Sequence, residues 1–196
     1  MSLTRTFKDP PSAAFLDRLV SYIKRFGSSI VCFEDVKGYL SHFSGSSLET
    51  ELLGKLKMLV TETSSVNGVR LAVNVDKIEF ILSGGSKSLS FTKTYVDKYR
   101  AALGLGKDLD ERERQYGDDY ILLSVMTFLN AYTQDPQPSH LLESIALLEY
   151  ALKKSPYNFH FKILLVRMYV QLGVFNRAWE VYKTLEIKQV MHDTLS

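Results

Sequence analysis

Four histidines, one cysteine and a glycine-rich run are the residues of this 196-residue sequence whose types could do chemistry. His42, His140, His160 and His192 fall in no HExxH or other metal-ligand spacing. The closest His–acid pair, His192-Asp193, is adjacent in sequence, and adjacent side chains do not aim at one site. Each histidine therefore reads as a surface or interface residue. Cys32 lies between Val31 and Phe33, and a buried inert thiol is expected there rather than a nucleophile. The run Gly104-Leu105-Gly106-Lys107 hints at phosphate binding. A P-loop, however, needs Gly and Ser/Thr at the positions held by Ala101 and Asp108, and a dinucleotide fingerprint needs Gly where Leu109 stands. The sequence offers no catalytic residue, no metal set and no cofactor site.

Composition narrows the remaining classes. The chain has 24 Lys+Arg against 22 Asp+Glu, a net charge of +2, which argues against a DNA binder working through phosphate charge. A single cysteine excludes a disulfide scaffold and suits a reducing compartment. No apolar run approaches the roughly 20 residues that span a bilayer, so no membrane partner is expected. The start, MSLTRTFKDPPS, lacks the apolar stretch of a secretory signal. Charge is uneven locally. Residues 153–188 hold seven Lys/Arg and two acids, an excess that could meet ribosomal RNA or an acidic surface. A solvated outer face is the preferred reading for Lys153, Lys154 and Lys183.

The elements that must position these residues are helical almost throughout. Asp9-Pro10-Pro11 predicts a helix start, with Asp9 as N-cap. Phe15, Leu19, Tyr22, Ile23 and Phe26 form its apolar stripe, and Gly27 stops it. A second helix over 33–43 turns Val36, Leu40 and Phe43 inward. Ser46 and Glu49 are spaced as a capping box for a third, with Leu52, Leu53, Leu56, Leu59 and Val60 apolar. Residues 69–82 fit both a strand and a helix, and helix is chosen because an isolated strand would have nothing to pair with. A fifth helix over 88–103 is expected to bury Leu89, Val96, Tyr99 and Leu103. The charged stretch 104–119 reads as a solvated helix or a linker, so the chain is divided into a degenerate helical-repeat region, 1–107, and a repeat region, 108–196. Asp118 or Asp119 is expected to cap the next helix. Helices over 140–154, 158–172 and 175–186 follow with very short connections, which require antiparallel neighbours.

The last third repeats. Shifted by 34 positions, Leu141 meets Phe175, Ser144 meets Ala178, Leu147 meets Val181 and Leu148 meets Tyr182. That is the tetratricopeptide period of helix-turn-helix units, with Gly173 at the turn and small Ala178 allowing close helix approach. The fold class is therefore all-α, a tetratricopeptide-like superhelix of helical hairpins. An ordinary helical bundle would share the periodicity without the Ala/Gly/Tyr placement. On the helix over 158–172, His160, Ile163, Arg167 and Val170 fall on one stripe, which in such arrays faces the concave groove. Arg167 offers a planar fork for a carboxylate there, with His160 and Gln171 assisting. Trp179, beside Ala178, is read as a packing residue.

Longer stretches carry a more specific likeness. GDDYILLSVMTFLNAY (117–132), LLEYALKKSPYNFHFKILLVRMYVQLGVFNRAWEVYKTLEIK (147–188) and QVMHDTLS (189–196) resemble the auxiliary, non-catalytic subunit of the NatB amino-terminal acetyltransferase complex. A weaker match runs through FGSSIVCFEDVKGYL (26–40) and YVDKYRAALGLGKDL (95–109). The resemblance implies a cytoplasmic helical-repeat scaffold that holds a separate catalytic subunit and helps dock it at the ribosome. Substrates would be nascent chains beginning Met-Asp, Met-Glu or Met-Asn. Members of that family are several times longer, so an internal portion or fragment is expected. The acetyl-CoA loop of the acetyltransferase fold is absent here, Arg100 having Leu103 rather than Gly three residues on. The alternative function is a general tetratricopeptide adaptor for peptides. The equivalent stripe of the preceding unit, Met126, Leu129 and Thr133, lacks the charge such an adaptor needs.

Overall fold

A computed structural model describes residues 12–85 and 88–185, and nine α-helices account for the regular structure there, with no strand. The chain divides into two compact units, Met1–Lys87 and Ser88–Ser196.

The first unit contains α1 (Ala13–Phe26), α2 (Cys32–Leu40), α3 (Leu48–Leu59) and α4 (Val66–Leu82). Within it α1 packs mainly on α3, and α2 on α4. Leu16, Leu19 and Ile23 of α1 meet Val36, Leu40, Leu52, Leu56, Val75 and Ile78 in one buried cluster. The expected stripe on α1 is displaced by part of a turn. Leu16 is buried, Phe15 and Tyr22 flank the core, and Phe26 is exposed, its ring 5.0 Å from that of Tyr22 and 5.1 Å from the Arg25 guanidinium carbon. The cap also differs from expectation. Ser12 caps α1 and accepts from the Phe15 amide at 3.2 Å, whereas Asp9 lies outside the described residues.

The box predicted for α3 is rearranged as well. The Glu49 carboxylate accepts from the Gly45 amide, while the Ser46 hydroxyl donates to the Phe43 carbonyl. The ambiguous stretch is helical. Ser65 caps α4 by accepting from the Gly68 amide at 3.1 Å. From the middle of α4, the buried Asn74 side chain donates to the carbonyls of Gly27 (2.8 Å) and Ser29 (2.9 Å), tying α4 to the α1–α2 turn. Cys32 is buried as expected, and its thiol is pushed up to about 11, chiefly by burial with help from Asp35. It is therefore protonated and inert at neutral pH.

The second unit contains α5 (Ser90–Ala102), a 3-10 turn (Leu103–Gly106), α6 (Asp118–Gln134), α7 (Pro138–Leu152), α8 (Phe159–Gln171) and α9 (Phe175–Lys183). Each of these helices packs on the next in sequence. The charged stretch 104–119 is thus a connection inside this unit, and the compact units separate before Ser88 instead. The reason is the α5–α6 contact. A Cβ at Gly117 would stand 3.0 Å from that of Ala102, so the two helices close directly over the connection. On α5 the buried face is Thr92, Tyr95, Tyr99 and Ala102, and Leu89 is exposed. Thr92 escapes a reading by polarity because its hydroxyl satisfies itself locally, donating to the Leu89 carbonyl at 2.7 Å.

The 34-residue equivalence holds unevenly. Ser144 and Ala178 are both buried, as the small positions should be. The large positions split. Leu141 is 1% exposed and its counterpart Phe175 64%, while buried Ile145 and Leu148 correspond to exposed Trp179 and Tyr182. Packing explains the split, because α7 is flanked by both α6 and α8, whereas α9 packs chiefly on α8. Contrary to expectation, Trp179 is therefore not a packing residue. It is 59% exposed, stacks on Tyr182 with centroids 5.7 Å apart, and lies under the Lys183 ammonium at 6.0 Å.

Candidate functional site

The five residues singled out on the sequence, His160, Ile163, Arg167, Val170 and Gln171, all lie on α8 and are all exposed. The opposite side of α8 explains why. Phe161, Leu165, Met168 and Tyr169 are buried there, at steps of four, three and one, which leaves the other face to solvent. The stripe is mixed, with apolar Ile163 and Val170 beside the polar His160, Arg167 and Gln171. Among the described residues Arg167 makes no hydrogen bond or ion pair, so its guanidinium keeps its donors for a ligand. The His160 ring lies 3.9 Å from that of Phe159, itself exposed, at the start of the helix.

Two polar ties fix α8 in place. At its start, Asn158 is the N-cap, its Oδ1 accepting from the amides of His160 (3.1 Å) and Phe161 (3.4 Å). The same side chain donates through Nδ2 to Asp118 Oδ2 at 2.8 Å. Ser155 Oγ accepts from the Gln115 amide at 3.2 Å, so the turn before α8 is bound twice to the start of α6. Asp118 is not the cap of α6 that the sequence suggests. Instead Gly117 stands at the cap position without a side-chain bond, and Asp118 is buried in the first turn, turned toward Asn158. Near the other end of α8, the Tyr169 hydroxyl donates to Glu149 Oε1 at 2.6 Å. Arg177 of α9 donates to the same oxygen at 3.1 Å, so one carboxylate joins α7, α8 and α9.

Neither tie follows from the sequence pattern. Asn158 carries a recognisable signal, a cap-type residue just before an apolar helical run. Its second bond, to a residue 40 positions away, has no sequence signature. The basic excess also shrinks on the structure. Lys162 is buried and donates to the Thr184 carbonyl at 2.9 Å, and Arg177 is paired with Glu149 and Glu180. Lys153, Lys154 and Lys183 are exposed. His192 and Lys188 lie outside the described residues. Among the described residues no three His, Cys, Asp or Glu side chains converge as metal ligands, and no helix is long and apolar enough to cross a membrane.

What α8 offers is thus a rigid, solvent-facing stripe whose guanidinium is unengaged among the described residues. Comparison with known proteins gives this surface its context. The family model of the N-acetyltransferase B complex (NatB) non-catalytic subunit matches residues 2–196. The mouse protein named N-alpha-acetyltransferase 25, NatB auxiliary subunit, is 27% identical over 191 residues, covering 90% of this chain and 20% of the mouse protein. The fission yeast N-terminal acetyltransferase B complex subunit arm1 is 29% identical over 191 residues, covering 90% of this chain and 23% of its own length. An Arabidopsis NatB auxiliary subunit is 25% identical, over 92% of this chain and 18% of its own. The chain spans about a fifth of the length of these curated relatives. With the model matched over nearly every residue, the chain belongs to the family of non-catalytic subunits of the NatB complex.

Proposed function

We propose that this chain is a scaffold: it presents the α8 face to the catalytic subunit of a NatB-like complex and performs no acetyl transfer itself. The family match over residues 2–196 is the observation that carries this reading. The arrangement of α8 supports it. A helix pinned at its cap by Asn158 and near its end by Tyr169 holds His160, Ile163, Arg167, Val170 and Gln171 at low conformational cost. A mixed stripe with an Arg that is unengaged among the described residues suits a protein partner with a carboxylate set among apolar side chains. In this reading the hairpins of 88–185 are tetratricopeptide-like units. The complex works in the cytoplasm, docked at the ribosome, on nascent chains that begin Met-Asp, Met-Glu or Met-Asn.

The test is a calorimetric titration of the catalytic subunit into the chain and into Arg167→Ala. The substitution should weaken binding roughly ten- to a hundredfold, the worth of one charge-assisted hydrogen-bonded pair. Thermal stability should change by no more than about 0.5 kcal/mol, since Arg167 is exposed and has no partner among the described residues. Equal affinities would remove Arg167 from the interface.

A further inference from the structure

The exposed stripe of α8 has a neighbour on α6. Both helices pack on α7, while α6 also packs on α5 and α8 on α9. The connections 135–137 and 153–158 are short, so α6 and α8 run parallel to each other and antiparallel to α7. Two bonds join their starts, Asn158 Nδ2 to Asp118 Oδ2 at 2.8 Å and the Gln115 amide to Ser155 Oγ at 3.2 Å. α5, α7 and α9 thus form one layer and α6 and α8 the other, side by side with their outer faces turned the same way.

Counted from that joint, the outer residues of the two helices fall in step. Leu122 is four residues past Asp118 and Ile163 five past Asn158. Met126 and Arg167 are eight and nine past, and Leu129 and Val170 eleven and twelve. At about 1.5 Å per residue each pair stands at nearly one height, and successive pairs are about 5 Å apart, close to one helical turn. Met126, Ile163 and Val170 are 40%, 43% and 47% exposed, and Leu122 and Leu129 are half-buried. Arg167 is the one charge among the six. Asp119, at the start of the same face of α6, is paired with Arg114 at 2.7 Å. The joined starts pair Met126 with Arg167 by a shift of 41 residues rather than 34, which brings Leu122 onto the stripe in place of Thr133.

We propose that α6 and α8 together form a two-helix ledge that receives an amphipathic helix of the protein partner, its apolar residues one turn apart on the three pairs and a carboxylate of its middle turn on the Arg167 guanidinium. The proposal rests on the scaffold reading, which makes the catalytic subunit that partner. Spacing selects a helix. Pairs one turn apart match side chains at i, i+3 or i+4, and i+7 of a helix laid along the furrow, and the described residues present no sheet edge to an extended strand. Charge selects the acid. Arg167 stands among five apolar side chains, and covering it is costly unless a carboxylate meets it. Met126, opposite, is an unbranched side chain that adapts to the surface laid on it.

Calorimetric titration of the catalytic subunit into the whole chain and into Met126→Glu tests the ledge. The new carboxylate would stand across from Arg167, occupy the guanidinium and break the apolar pair, so binding should weaken about tenfold or more with an unchanged circular dichroism spectrum. A photo-crosslinker on Met126→Cys gives a second measurement. Cys32 is the only native cysteine and is buried, so the introduced thiol is labelled alone. The captured segment of the catalytic subunit should carry apolar residues at steps of three and four with an Asp or Glu among them. Unchanged affinity for Met126→Glu while Arg167→Ala weakens binding would overturn the ledge and leave the scaffold reading standing. So would a complex that gives no crosslink from position 126, or a captured segment without that pattern. No binding by the unsubstituted chain would overturn both.

Discussion

Asn158→Ala lowers the stability of the chain by about 3–5 kcal/mol at pH 7.5, because one side chain does two jobs. Its Oδ1 satisfies the His160 and Phe161 amides at the start of α8, and loss of such a cap alone costs about 1–2 kcal/mol. Its Nδ2 is the donor to Asp118 Oδ2, so the variant leaves a buried carboxylate unpaired, which is the larger part of the cost. The two parts separate with pH. The Asn158 bond favours the charged form of Asp118, so removing it raises that carboxyl further above its present value of about 6. The penalty should therefore be greatest above that pH and shrink toward the cap cost alone as the solution is acidified through it. Urea unfolding at pH 7.5 and pH 5 measures both. A penalty below about 1.5 kcal/mol at pH 7.5, or one independent of pH, would contradict the account.

Asn74→Leu destabilises the first unit by about 2–4 kcal/mol through a different route. Leucine fills nearly the same space but donates nothing. The Gly27 carbonyl loses its bond to Asn74, and the Ser29 carbonyl keeps only the longer bond from the Cys32 amide, at 3.3 Å. A buried acceptor left unsatisfied costs about 1–3 kcal/mol. The effect should be local to the α1–α2 turn, so hydrogen exchange should quicken at the amides of residues 27–32 before it does in α3. Unfolding at unchanged stability would show that the polar tie contributes nothing net. The turn cannot easily be rebuilt around a new side chain, since a Cβ at Gly27 would stand 2.4 Å from both the Ile23 carbonyl oxygen and Leu71 Cδ1.

These two asparagines mark the limit of what the chain's own pattern discloses. The helices are legible because apolar residues recur at three and four, and even the ambiguous 69–82 stretch resolves correctly on the argument that a lone strand has no partner. The α8 stripe is legible for the same reason, since Phe161, Leu165 and Met168 mark the buried side and leave His160, Ile163 and Arg167 opposite. Burial of polar residues is not legible. Asn74, Thr92, Asp118 and Lys162 all read as surface types, and each is buried because a specific carbonyl or side-chain amide meets it. Exposure of large residues fails in the mirror sense. Phe175, Trp179 and Tyr182 repeat the buried positions of α7, but whether such a stripe is covered depends on which helix lies beside it, and periodicity does not carry that information.

The central claim is that this chain holds a catalytic subunit without being one. Size-exclusion chromatography with light scattering, on the chain mixed with the catalytic subunit of the NatB complex, tests it directly. A one-to-one complex whose mass is the sum of the two is the expected result. Separate elution of the catalytic subunit and a folded, helical chain would contradict it.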